Sequence, residues 1–162
     1  MENPTNFETA RLADQLERSF RGGAWHGPAV AEALDGVDAE GAARRPLAAA
    51  HTIAEIVAHL TYWRRAARVR LHGEHERDVL GDGDWVPAAA GDEAWRAALA
   101  ALESAYRDLH AAVLALDDTG LEDPVAGSDP TVRGMLLGLL QHNAYHAGQI
   151  ALLAKAVPGT RP

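Results

Sequence analysis

The chain of 162 residues has room for one domain with a sizeable core, and residues 1–162 are read as a single domain. It is 48% apolar and 23% charged, a globular rather than a disordered balance, and a net charge of −8 without a dense Lys/Arg run argues against nucleic acid as a partner. Cysteine is absent, which excludes disulfides, cysteine zinc sites and a cysteine nucleophile. A tight transition-metal site must therefore be built from His and carboxylates, and any thiol must arrive as a co-substrate. No apolar run approaches a membrane span, and Met1 to Arg11 lacks the basic start and apolar centre of a signal peptide. The expected location is the cytoplasm, with no membrane partner.

Phe7 to Phe20 reads as a first helix with Leu12 and Leu16 on one side, ended by Gly22-Gly23. Pro28 suits a first helical turn, giving a short helix from Pro28 to Leu34 closed by Gly36. Asp38 to Ala50, with Gly41 and Pro46, reads as a loop with at most a helical turn. Thr52 opens the second long helix. Thr52 and Glu55 form a capping-box pattern, and Ile53, Ile56, Val57, Leu60, Trp63, Ala67 and Leu71 give a helical stripe running to Gly73. His59 falls within that stripe.

From His72 to Asp92 the chain is polar and broken by Gly81, Gly83, Pro87 and Gly91, which predicts a long crossover loop. A third helix is expected from Glu93 to Leu116, with Trp95, Leu99, Leu102, Tyr106, Leu109 and Val113 in period. DDTGLEDPVAGSDP is a second loop. Thr131 offers an N-cap for a last helix reaching Ala156 and terminated by Pro158-Gly159. No stretch alternates convincingly with period two. The expected fold is all-α, a four-helix bundle with long crossover loops.

In the last helix Met135, Leu139, His142, His146, Ile150 and Leu153 follow one another at steps of three or four and form one stripe. Two imidazoles one turn apart can hold an ion between them, although core histidines satisfied by hydrogen bonds would share the pattern. Two ligands rarely suffice. His59 is the candidate third, provided the second and fourth long helices are neighbours.

Glu55, one turn before His59, is a candidate fourth ligand, imidazole acceptor or general base, and the capping box alone also accounts for it. His51, Asn143 and Gln149 are candidates for lining the substrate site. Gln149, which with Tyr145 flanks the second ligand, alternatively orients a water or an imidazole. Gly148 is expected to permit close helix approach. Trp25, Trp63, Trp85 and Trp95 read as core and loop anchors. His26, His72, His75 and His110 read as surface residues, and Asp78, Asp82 and Asp84 as a solvated acidic loop.

At these residues the chain resembles the DinB-like (DinB/YfiT) superfamily. The resemblance covers nearly the whole chain. It is carried by AWHGPAVAEALDGVDAE, HTIAEIVAHLTYWRRAARVRLHG, the acidic DGDWVP turn, the Trp-opened third helix and GLLQHNAYHAGQIALL. It implies an up-down-down-up four-helix bundle and a divalent ion held by three histidines, which fall on His59, His142 and His146. Members with known activities are mostly thiol-dependent transferases or isomerases using bacillithiol, mycothiol or glutathione-like thiols. Others are described as metal-dependent hydrolases.

The expected function is thus a metal-dependent enzyme joining a low-molecular-weight thiol to a small-molecule electrophile. The alternatives are a metal-dependent hydrolase, with Glu55 or His51 as base, and a non-catalytic metal- or small-ligand-binding stress protein. Zinc or nickel is the expected ion, since both suit three imidazoles plus water. Family members often dimerise, so a homodimer is the expected assembly. Histidines ligate only when neutral, so metal affinity is expected to fall steeply below about pH 6.

Overall fold

The computed structural model describes residues 6–126 and 130–157, so the Pro158-Gly159 terminator lies outside the described residues. Four long helices, α1 (Phe7–Arg21), α4 (Ile53–Leu71), α6 (Asp92–Leu114) and α7 (Val132–Ala156), make the bundle. Three short helices, α2 (Val30–Leu34), α3 (Ala39–Ala43) and α5 (Glu76–Leu80), and a 3-10 turn at Asp118–Glu122 lie in the connections. Among the described residues, β-structure is confined to one isolated bridge between Pro124 and Thr131.

Side-chain pairs fix the helix directions. Arg21 bonds Glu103, and Glu17 faces His110, so α1 and α6 are antiparallel. Glu8 faces Arg133 and Ser19 meets Asn143, so α1 and α7 are parallel. His59 lies opposite His142 and His146, whereas Ala67 and Arg70 share a cavity with Gly134 and Gly138, so α4 opposes α7. The order is up-down-down-up, with α4 and α1 each packed against both α6 and α7.

The caps explain where the long helices begin. Thr52 Oγ1 accepts from Glu55 N (3.1 Å) while Glu55 Oε2 accepts from Thr52 N (2.8 Å), the reciprocal pair expected from the sequence. Thr131 Oγ1 accepts from Gly134 N at the start of α7. Gly73, with φ 79°, releases the chain from α4 in a conformation that side chains with a Cβ disfavour.

Three sequence expectations need adjustment. The short second helix starts at Val30 rather than Pro28, where Glu32 reaches back to Ala29 N (2.8 Å). The loop after it contains α3, because Asp38 Oδ1 caps Gly41 N at 2.7 Å. The crossover contains α5, because Arg70 Nε and Nη2 each donate to the Glu76 carboxylate at 2.8 Å and close the segment onto α4.

Glu76 is 5% exposed, and the hydrogen bonds from Arg70 hold its carboxyl down at about 2, against an ordinary value of 4.5. A depressed folded-state value stabilises the fold above the unfolded value, and that contribution disappears as pH falls from 4.5 toward 2. The full shift is equivalent to about 3 kcal/mol. Urea unfolding of wild type and Glu76→Gln should differ by on the order of that amount at pH 7 and converge near pH 2. Equal stability at neutral pH would show that the pair contributes nothing.

The core is split in two. One apolar cluster includes Val30, Ile53, Ile56, Leu60, Trp95, Leu102 and Ile150, and the other includes Leu12, Leu16, Leu109, Val113, Leu136 and Leu139. The split falls at one level of the bundle, between Leu16 and Phe20 on α1, Leu60 and Ala67 on α4, and Leu139 and Ala147 on α7. The buried Ser19, Arg64 and Asn143 occupy the gap.

Arg64 Nη1 donates to Leu60 O and Nη2 to Asn143 Oδ1, both at 2.8 Å, while Asn143 Nδ2 donates to Ser19 Oγ at 2.8 Å. The guanidinium lies 5.0 Å from the centre of the Phe20 ring. Burial pushes Arg64 down to about 9, which leaves it charged at neutral pH. A buried cation with neutral acceptors is costly, so this polar layer must match in register on three helices.

Candidate metal centre

His59 on α4 and His142 and His146 on α7 point their Nε2 atoms at one another. His142 Nε2 is 2.8 Å from His59 Nε2 and 3.0 Å from His146 Nε2. Helical period explains the pair on α7, and the antiparallel packing of α4 brings in the third ring. His59 and His146 are buried, and His142 is half-buried.

The outer nitrogens decide the tautomers. His59 Nδ1 lies 2.7 Å from Asp84 Oδ1, a carboxylate that can only accept, so Nδ1 carries the proton. His146 Nδ1 donates to Gln149 Oε1 at 2.7 Å. Both rings therefore direct an Nε2 lone pair toward His142 Nε2, and one shared proton can satisfy them only in part. A cation satisfies all three. Ideal tetrahedral ligation at about 2.0–2.1 Å would need the nitrogens a few tenths of an ångström further apart, within reach of small ring rotations. The donor set thus fits a divalent ion.

Burial holds the rings in the ligating form. It is the largest cause pushing His142 down to about 3 and His146 down to about 4, and it lowers His59 as well. The charges of His146, His59 and Arg64 add to the effect at His142. Proton competition for these nitrogens accordingly begins below the pH of about 6 expected for ordinary histidines.

Aromatic rings close one side of the cluster. Trp85 stacks between His51 and His59, with centroids at 3.6 and 3.8 Å and both interplanar angles 10°. Trp63 Nε1 donates to Asp84 Oδ1 at 2.6 Å, which anchors the same carboxylate that holds His59. Among the described residues, the three histidines are the group of His, Asp or Glu side chains close enough to share an ion.

The remaining candidates are placed as follows. The Glu55 carboxylate is engaged by Thr52 N and by Arg45 Nη2 (2.7 and 2.9 Å), with His51 Nδ1 at 3.3 Å. It lies outside the histidine cluster. His51 is half-exposed at the rim, against Trp85. Gln149 orients the His146 imidazole. Asn143 does not reach solvent: it is 4% exposed and bonded to Arg64 and Ser19, because its helical phase points it into the core. Gly148 is exposed, and a Cβ there would meet nothing within 4 Å, so close helix approach does not explain it.

Trp25 is fully exposed rather than an anchor, Trp95 is buried with Nε1 donating to Val37 O, and Trp85 belongs to the site. His110 is only partly exposed, beside Tyr106 and Glu17, and His75 caps α5. Asp84, expected to be solvated, is the carboxylate behind His59. The sequence signal that could have found it is the Asp-Trp pair within the DGDWVP turn. Asp84→Asn should weaken metal binding about 10- to 100-fold by disturbing the tautomer and orientation of His59. Competition with a chromogenic chelator measures this, and unchanged affinity would reduce the contact to a loop anchor.

Three imidazoles presented by two facing helices in the bundle core could hold a metal ion. Residues 24–150 match the DinB superfamily, and the chain belongs to it. No curated protein and no solved structure matches the chain. No helix among the described residues is long and apolar enough to cross a membrane.

Proposed function

We propose that this protein is a metal-dependent enzyme that joins a low-molecular-weight thiol to a small electrophile, with zinc or nickel at His59, His142 and His146. The observation that carries the reading is the convergence of three Nε2 atoms, with the His59 and His146 rings held from behind by Asp84 and Gln149. A divalent ion bound there lowers the pKa of a coordinated thiol or water enough to yield a nucleophile at neutral pH. Asp84 and Gln149 keep the His59 and His146 donor nitrogens aimed, Trp85 and Trp63 limit water access, and the thiol proton leaves to solvent at the rim. As the sulfur–carbon bond forms, the leaving group departs with its electron pair.

Thiol chemistry is favoured over hydrolysis by what the nearby carboxylates already do. A thiol bound to a cation deprotonates without a protein base, whereas water attack benefits from one. Glu55 is taken up by the cap and Arg45, and Asp84 by His59 and Trp63. In the hydrolase alternative, the Glu55–His51 pair would supply the base.

The test is to load the protein with cobalt or nickel and titrate it with a small thiol. A sulfur-to-metal charge-transfer band is expected, together with thiol-dependent consumption of an electrophile. Thiol-independent ester or amide cleavage would establish the hydrolase instead. Ligand binding without turnover of either kind would make the protein a non-catalytic binder.

A further inference from the structure

Between α4 and α7, on the far side of His142 from His59 and His146, lies a cavity of about 310 Å³. Trp63 and Ala67 wall it from α4, and Gly134, Gly138, Leu139 and His142 from α7. The volume is near the lower end for small-molecule sites and about twice the ~150 Å³ that accommodates benzene.

Gly138 makes the room. It lies one turn before His142 on α7, in a helix interior where glycine is disfavoured relative to alanine. Packing does not explain it, because a Cβ there would meet nothing within 4 Å. Gly134 is different: a Cβ would lie 3.0 Å from Pro130 Cβ, so close approach at the helix start accounts for it.

The walls carry no unpaired charge. Arg70 is the cation at the cavity, and its Nε and Nη2 are committed to Glu76 while its guanidinium lies 5.5 Å from the Trp63 ring centre. An anionic ligand would have to compete with Glu76, and a cationic one would meet apolar rings and Arg70. The open surface of the cavity is almost wholly apolar. His142 Nδ1 is buried without a hydrogen-bond partner, unlike the Nδ1 atoms of His59 and His146. That nitrogen has no surface open to the cavity, so it offers a ligand there no hydrogen bond.

We infer that this cavity binds the body of the electrophilic substrate, an uncharged apolar group up to about two fused rings in size. The inference rests on the proposed reading of the histidine centre. His142 is the shared wall, so a ligand seated in the cavity lies against one ring of the cluster.

The probe is 6-propionyl-2-(dimethylamino)naphthalene, a neutral bicyclic ketone whose emission shifts to the blue in apolar surroundings. It is titrated into metal-free and cobalt-loaded protein, with an anionic naphthalene sulfonate as the charged counterpart. Saturable binding of the ketone is expected in both forms, with weaker binding of the sulfonate. Gly138→Leu, which fills the cavity and improves helix propensity, should weaken the ketone at least about tenfold while leaving metal content unchanged. No saturable binding, equal binding of the sulfonate, or indifference to Gly138→Leu would each overturn the assignment. Probe binding in a protein that gives no thiol charge-transfer band would instead defeat the thiol reading and leave the cavity standing.

Discussion

Alanine at His59 or at His146 is expected to abolish stoichiometric metal retention. Wild-type protein purified without chelator should carry about one ion per chain, and each variant far less than one. Structural zinc sites bind with about 10–16 kcal/mol spread over four ligands, so one imidazole contributes roughly 3 kcal/mol. Losing one of three should weaken the ion by two to three orders of magnitude. Elemental analysis together with a chelator titration reads both stoichiometry and affinity. Because His59 and His146 sit on different helices, parallel loss in the two variants demonstrates a shared ion. Full retention in His59→Ala would remove it from the ligand set and turn attention to Asp84, Glu55 or His51.

Asn143→Ala should damage the fold and spare the metal. Its Oδ1 is one of two acceptors serving the buried Arg64, and its Nδ2 ties the same layer to Ser19 on α1. An unmet buried polar group costs about 1–3 kcal/mol and more when charged, so the loss should be on the order of 3 kcal/mol. For a chain of this size that lowers Tm by roughly 6–12 °C. Thermal unfolding and elemental analysis of the same sample separate the outcomes. A wild-type Tm with altered ligand binding would return Asn143 to the substrate site, where its adjacency to His142 first placed it.

These two cases mark what was legible in the sequence. The helices and the three histidines were readable because period and capping are local: Thr52 with Glu55 opens α4, and the stripe through His142 and His146 is one face of α7. Arg64 was missed because it stands in WRRAARVR, where Arg65, Arg68 and Arg70 share its chemistry. Its phase held a signal, since Arg64 is four residues after Leu60 and three before Ala67, and both of these are buried. Asn143 shows the same pattern, four residues after Leu139 and seven before Ile150. Asp84 and Trp85 had no such signal. They lie in a turn without a period, and their contacts with His59 depend on how that turn folds back over α4.

The placement of α7 bears on how the protein is assembled. The polar contacts that tie α7 to the other helices close across long stretches of chain: His59 meets His142 over 83 residues, and Asn143 meets Ser19 over 124. A chain emerging from the ribosome in order presents α1, α4 and α6 first, with His59 and Arg64 facing an open groove. Only when α7 docks do Arg64 and Ser19 gain Asn143 and does His59 gain two more imidazoles. The three-histidine cluster is therefore completed late, and an ion that needs all three rings would be captured only after α7 has docked.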